Sequence, residues 1–173
     1  MGAPRLSWAS VGPVRYLVHA DQRQFSLRDK DAWRPGDGGW TDEAVSAHRV
    51  AVEPSSLSVA TARSDWVEVD VSVAASAPPV RPDASHVVEA DLDVPGGAAT
   101  LAGPADYAGR EHRIAVPPGR YRVRVSYVES GPPDAEWHDH EFGEHFRYVL
   151  DLWPSAGAAP VAVLRQGPGV WDG

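Results

Sequence analysis

The sequence predicts an all-β protein: a mostly antiparallel, jelly-roll-like β-sandwich of about ten strands with one short helix. Three observations carry this. Apolar residues recur with period two in four separate runs. Sixteen Gly and sixteen Pro in 173 residues interrupt the chain too often for long helices. Turn-forming clusters separate the runs at the short spacing of sandwiches.

The four runs are the best-defined strands. In 66–73, Val67, Val69, Val71 and Val73 share one face and Glu68, Asp70 and Ser72 the other. In 88–94, Val88, Ala90, Leu92 and Val94 oppose Glu89, Asp91 and Asp93. In 120–127, Tyr121, Val123, Val125 and Tyr127 oppose Arg120, Arg122, Arg124 and Ser126. From residue 145, Phe146, Tyr148, Leu150 and Leu152 oppose His145, Arg147, Val149 and Asp151. Strict alternation predicts one buried and one solvated face. The acidic and arginine-rich outer faces predict cross-strand ion pairs, each contributing less than about 1 kcal/mol.

Weaker strands are expected at Val14–His19, Gln22–Leu27, Arg49–Val52, Leu57–Ala60, Ala98–Ala102, His112–Val116 and Pro160–Leu164. Val94-Pro-Gly-Gly and Pro117-Pro-Gly119 supply turn chemistry, and Arg34–Gly39 reads as a loop. Pro78, Pro79 and Pro82 exclude 74–85 from a central strand and make it a long connection between the two sheets. The one helix starts at Trp40-Thr41-Asp42-Glu43 and runs over about 41–47. Thr41 is its N-cap, Asp42 and Glu43 lie in its first turn, and Trp40 is a hydrophobic anchor ahead of it. These four residues read as scaffold.

The chain reads as a single domain, 1–173, with an acidic, His-rich loop at 130–145 and a loose tail from 167. Twenty-four acidic against 16 basic residues give a net charge of −8, which argues against direct nucleic-acid binding and favours a basic partner. Cysteine is absent, so thiol catalysis, disulfides and thiolate metal sites are excluded. No apolar run is long enough for a signal-peptide core or a membrane span, and a cytoplasmic protein without membrane association is expected. No GxSxG elbow, GxxxxGK[ST] loop or GxGxxG turn is present, and Lys30 is the only lysine. No catalytic set is assembled and no cofactor is required.

The loop at 130–145 offers two readings. Asp134, Glu136, Asp139, Glu141 and Glu144 put five carboxylates within eleven residues, with Trp137 and Phe142 among them. Carboxylates around an aromatic anchor suit a basic protein surface, so Asp134, Glu136, Trp137, Asp139, Glu141 and Glu144 are the expected partner contacts. A solvated loop without a partner has the same composition. In the second reading His138, His140 and Glu144 hold one divalent transition metal, since imidazoles two apart share a face of a strand and two imidazoles with a carboxylate suit iron, manganese or zinc. His138-Asp-His140 followed by Glu144 resembles the first motif of the cupins, which implies a metal-dependent enzyme or sensor. The second cupin motif has no counterpart, for no His follows His145.

A broader resemblance spans about residues 16–128. Trp40-Thr-Asp-Glu43, then Glu53–Val59, Trp66–Val71, Ala84–Val94, Ala98–Ala102 and Ile114–Val125 with Pro118-Gly-Arg-Tyr121, resemble in order and spacing the competence protein J group. The resemblance implies an inhibitor that binds a DNA-entry nuclease, or an immunity protein for a secreted toxin. Residues 129–173 depart from the group by adding the acidic loop and a further strand. The expected function is thus a non-enzymatic binding protein for a basic nuclease or toxin. The alternatives are the cupin-like metal protein and a small-ligand-binding sandwich.

Overall fold

The computed structural model describes residues 11–36, 38–106, 110–132 and 145–167. In chain order its strands are β1 Val11–His19, β2 Gln24–Arg28, β3 Val50–Glu53, β4 Ser56–Ala60, β5 Trp66–Val73, β6 Ala84–Val94, β7 Ala98–Ala102, β8 His112–Ala115, β9 Gly119–Glu129, β10 Phe146–Pro154 and β11 Ala162–Arg165. They form a six-stranded sheet, β1-β5-β10-β9-β6-β11, and a five-stranded sheet, β3-β4-β2-β7-β8. Every pairing is antiparallel except β5 with β10. The all-β sandwich is therefore the observed architecture. β10 stands between β5 and β9, so the C-terminal part of the chain completes the larger sheet from within.

The period-two runs place their apolar members between the sheets. Val69, Ala90, Val123 and Leu150 from one sheet, with Leu27, Leu57 and Leu101 from the other, are wholly buried in one cluster. Three buried tyrosines bring hydroxyls into this core, and each finds a backbone partner. Tyr127 donates to the carbonyls of Arg49 (2.9 Å) and Ala60 (3.1 Å). Tyr148 accepts from the amide of Ala62 at 3.1 Å. Tyr121 donates to the carbonyl of Pro117, which locks the Pro-Pro-Gly turn against the strand that follows it. Desolvation raises all three phenols, Tyr121 to about 12.

The outer face of the larger sheet corrects two expectations. Registry pairs Glu89 with Arg124, Asp91 with Arg122 and Asp93 with Arg120, as the alternating charges predict. The ladder is not uniformly solvated, however. The 74–83 connection does not pass between the sheets: β5 and β6 belong to the same sheet, separated by β10 and β9. The connection meets the outer face, where the carbonyl of Pro78 accepts from Arg124. The 155–161 segment also meets this face: Arg122 donates to the carbonyls of Ala159 (3.2 Å) and Pro160 (2.8 Å), and Asp91 accepts from the amide of Ala159 at 2.8 Å. Arg122 and Arg124 are consequently buried. Ala84, Val87, Val128 and Val149 form a second small apolar cluster. Alternation identified the polar side of these strands correctly, but polar side chains can be covered by backbone carbonyls as well as by water.

Candidate functional site

Within Trp40–Glu43, Thr41 caps the short helix. Thr41 Oγ1 accepts from the amide of Ala44 at 3.1 Å, and the Thr41 carbonyl accepts from Val45 at 3.0 Å. The helix it caps widens into a π-helical turn, Ala44–His48, because the amide of Arg49 closes on the carbonyl of Ala44, five residues back, at 2.7 Å. Arg49 stops it with φ 60°, a left-handed conformation that a non-glycine residue holds only when its surroundings fix it. Here they do: Arg49 Nη2 donates to the carbonyl of Gly167 at 3.1 Å. His86 completes the same buried knot, accepting from the amide of Gly167 on Nδ1 (3.1 Å) and lying 3.0 Å from the carbonyl of His48 through Nε2. With Nδ1 an acceptor, the proton belongs on Nε2 and the ring is neutral. Burial pushes its pKa down to about 4. Asp42 and Glu43 are exposed, and Glu43 lies 3.5 Å from His48.

Trp40 has a second role that its motif did not disclose. It stands over the outer face of the five-stranded sheet, with Nε1 donating to Gln24 Oε1 at 3.3 Å, beside a groove of about 720 Å³. Gln24, Ser26 and Arg28 of β2, with Ser58 of β4 and Thr100 of β7, line it along the sheet. Trp33, Pro35 and Trp40 line it from the 29–41 loop, and Pro104, Asp106 and Glu111 from the 103–111 region.

The loop that carries Trp33 and Trp40 is held by buried polar contacts. The Asp29 carboxylate accepts from the amides of Asp31 (3.1 Å), Ala32 (3.2 Å) and Gly96 (2.6 Å). The Asp29 carbonyl accepts from Trp33 at 2.8 Å, a turn that sets the indole over β2. Gly39 has φ +68°, and a Cβ there would meet the carbonyl oxygen of Val52 at 2.8 Å, so only glycine lets the loop approach the β3–β4 hairpin this closely. The Arg28 guanidinium lies 3.9 Å from the Trp33 ring centroid. Burial lowers its pKa, with Glu53 acting in the opposite direction. Lys30 and Glu111 form an ion pair at 2.6 Å, and Asp106 accepts from the amide of Gly103 at 2.7 Å.

Sequence reasoning missed this groove. Its one available signal was the pair of tryptophans, Trp33 and Trp40, enclosing a Gly- and Pro-rich loop. The expected partner contacts Asp134, Glu136, Trp137, Asp139, Glu141 and Glu144, and the alternative metal ligands His138, His140 and Glu144, lie outside the described residues. Among the described residues no three His, Asp or Glu side chains gather to hold a metal ion. Among them, too, no helix is long and apolar enough to cross a membrane.

The sequence matches no protein-family model and no curated protein. Two solved structures are similar in fold. One is ComJ of Bacillus subtilis, an inhibitor of the DNA-degrading activity of NucA, with a TM-score of 0.63 and 17% identity over 85% of this chain and 98% of ComJ. The other is described as crocagin biosynthetic gene J, with a TM-score of 0.55 and 18% identity over 84% of this chain and 98% of the other. The chain thus has the ComJ fold along nearly the whole length of that protein, and the match reaches beyond the 16–128 span in which the motif order resembled that group.

Proposed function

We propose that this chain is a non-enzymatic binding protein that inhibits a nuclease or nuclease-type toxin. The observation that carries the reading is its likeness in fold to ComJ, an inhibitor of a DNA-degrading activity, over 98% of that protein. The charge of −8 supports it, because a nuclease that grips phosphates presents a basic cleft that a carboxylate-rich surface complements. In this reading the protein acts in the cytoplasm, without a cofactor, and engages the nuclease rather than DNA. Asp134, Glu136, Asp139, Glu141 and Glu144 stand in for phosphates around Trp137, which supplies the apolar anchor.

Capture tests this. The protein is immobilised and extract of its source cells is passed over it; material eluted at high salt is then assayed for DNA degradation. Retained DNA-degrading activity that free protein suppresses is the expected result. A retained fraction without such activity contradicts the proposal. Asp139→Asn, Glu141→Gln and Glu144→Gln together should slow association about tenfold or more at low salt and flatten its salt dependence. Unchanged association would remove the loop from the interface.

A further inference from the structure

Arg28 differs from Arg122, Arg124 and Arg147. On the larger sheet Arg122, Arg124 and Arg147 each face a carboxylate, at 3.0, 2.9 and 3.2 Å. Among the described residues no carboxylate lies within ion-pair distance of Arg28. Its Nε and the neighbouring Trp33 Nε1 are buried with no acceptor among those residues. The Arg28 guanidinium carbon lies over the Trp33 ring, 3.9 Å from its centroid, and a guanidinium on an aromatic face suits a planar, two-oxygen acceptor.

The surroundings narrow the class of acceptor. Glu53, Asp106 and Glu111 line the same groove. Lys30 engages Glu111 and the Gly103 amide engages Asp106, but neither removes the negative field that a polyphosphate or nucleic acid would meet. A single negative charge is tolerated where several are not. The rest of the lining suits an apolar body, with the indoles of Trp33 and Trp40, Pro35, Pro104 and Ala102 beside the short hydroxyl side chains of Ser26, Ser58 and Thr100. A volume of about 720 Å³ falls within the range of small-molecule sites.

We propose that the groove on the outer face of the five-stranded sheet binds an organic monocarboxylate with an apolar body, its carboxylate held by Arg28 beside Trp33. The carboxylate belongs either to a free small acid or to the C-terminus of a peptide; both present the same chemistry. The proposal is independent of the nuclease reading.

The test follows the indole N–H of Trp33 by two-dimensional NMR, identified by its loss in Trp33→Phe, while 3-phenylpropionate is added. A parallel titration uses 3-phenylpropionamide, which has the same shape and no charge. The acid should shift the Trp33 resonance saturably and at least about tenfold more tightly than the amide, and Arg28→Gln should abolish that preference without lowering the melting temperature. N-acetylglycylphenylalanine and its C-terminal amide form the second arm. Peptide acid binding about tenfold tighter than phenylpropionate identifies a peptide terminus, and the reverse order a free acid. Equal shifts with acid and amide, or no shift up to about 20 mM acid, overturn the proposal. The acid-to-amide comparison on the unaltered protein decides the matter even if Arg28→Gln does not fold.

Discussion

Replacing Glu89 and Asp93 separately by alanine isolates what covering loops do to a charge ladder. Both sit on the outer face of β6, each registered with an arginine of β9. Asp93 and Arg120 form a 2.8 Å pair whose side chains are 45% and 37% exposed. Glu89 and Arg124 form a 2.9 Å pair whose side chains are 14% and 6% exposed. The exposed pair contributes about 0–1 kcal/mol, because water and salt screen it. Removing one partner of the covered pair strands a desolvated guanidinium, which costs about 3–5 kcal/mol. Asp151 stands opposite Arg124 on β10 and compensates part of the charge, so Glu89→Ala belongs at the lower end, about 3 kcal/mol. At about 2–4 °C per kcal/mol for a chain of this size, Glu89→Ala should lower the melting temperature by about 6–12 °C and Asp93→Ala by less than about 4 °C. The assay is a thermal melt of each variant at pH 7 in low and in 0.5 M salt, and salt should erase the Asp93 effect and spare most of the Glu89 effect. Equal losses for the two variants would refute the claim that the loops at 74–83 and 155–161 desolvate this face.

Two further perturbations test the scaffold. The buried ring of His86 has its pKa lowered to about 4 from 6.5, so between those values the unfolded chain binds the proton the native one refuses. The stability His86 contributes is complete above pH 6.5 and is lost as pH falls toward 4. Urea titrations at pH 7 and pH 5 should differ by about 2 kcal/mol from this group, and His86→Gln should flatten that slope. Gly103 packs against backbone, and a Cβ there would lie 1.8 Å from the carbonyl oxygen of His19. Gly103→Ala should therefore cost about 1–3 kcal/mol or more, read as a lowered urea midpoint; an unchanged midpoint would show that the β1 terminus moves freely.

The strands were readable because burial on one face imposes period two on the chain, and the runs at 66–73 and 120–127 fall within β5 and β9. Thr41 was readable as a cap because its hydroxyl has a local task, satisfied three residues away. The cross-strand charges were readable as pairs because opposite signs occupy the polar faces of neighbouring strands. Strand order was not readable, since the pattern says which face is buried and nothing about neighbours. The parallel pairing of β10 with β5 joins segments some eighty residues apart. The covered outer face escaped for a related reason: Arg124 looks the same in sequence whether water or the Pro78 carbonyl meets it. Arg28 and Trp33 escaped because nothing in periodicity records that the 29–41 loop folds back over its own sheet. The candidate contacts at 134–144 are known from their chemistry alone.

The central functional claim is that the ComJ-like fold here serves to silence a nuclease. The most direct measurement is a titration of DNA degradation by the captured nuclease with increasing amounts of the purified protein. Binding in place of DNA predicts that, at low DNA concentration, cleavage falls linearly to zero at a fixed small-integer ratio of protein to nuclease, and that raising the DNA concentration weakens the inhibition. Cleavage that continues undiminished at a large excess of the protein contradicts it.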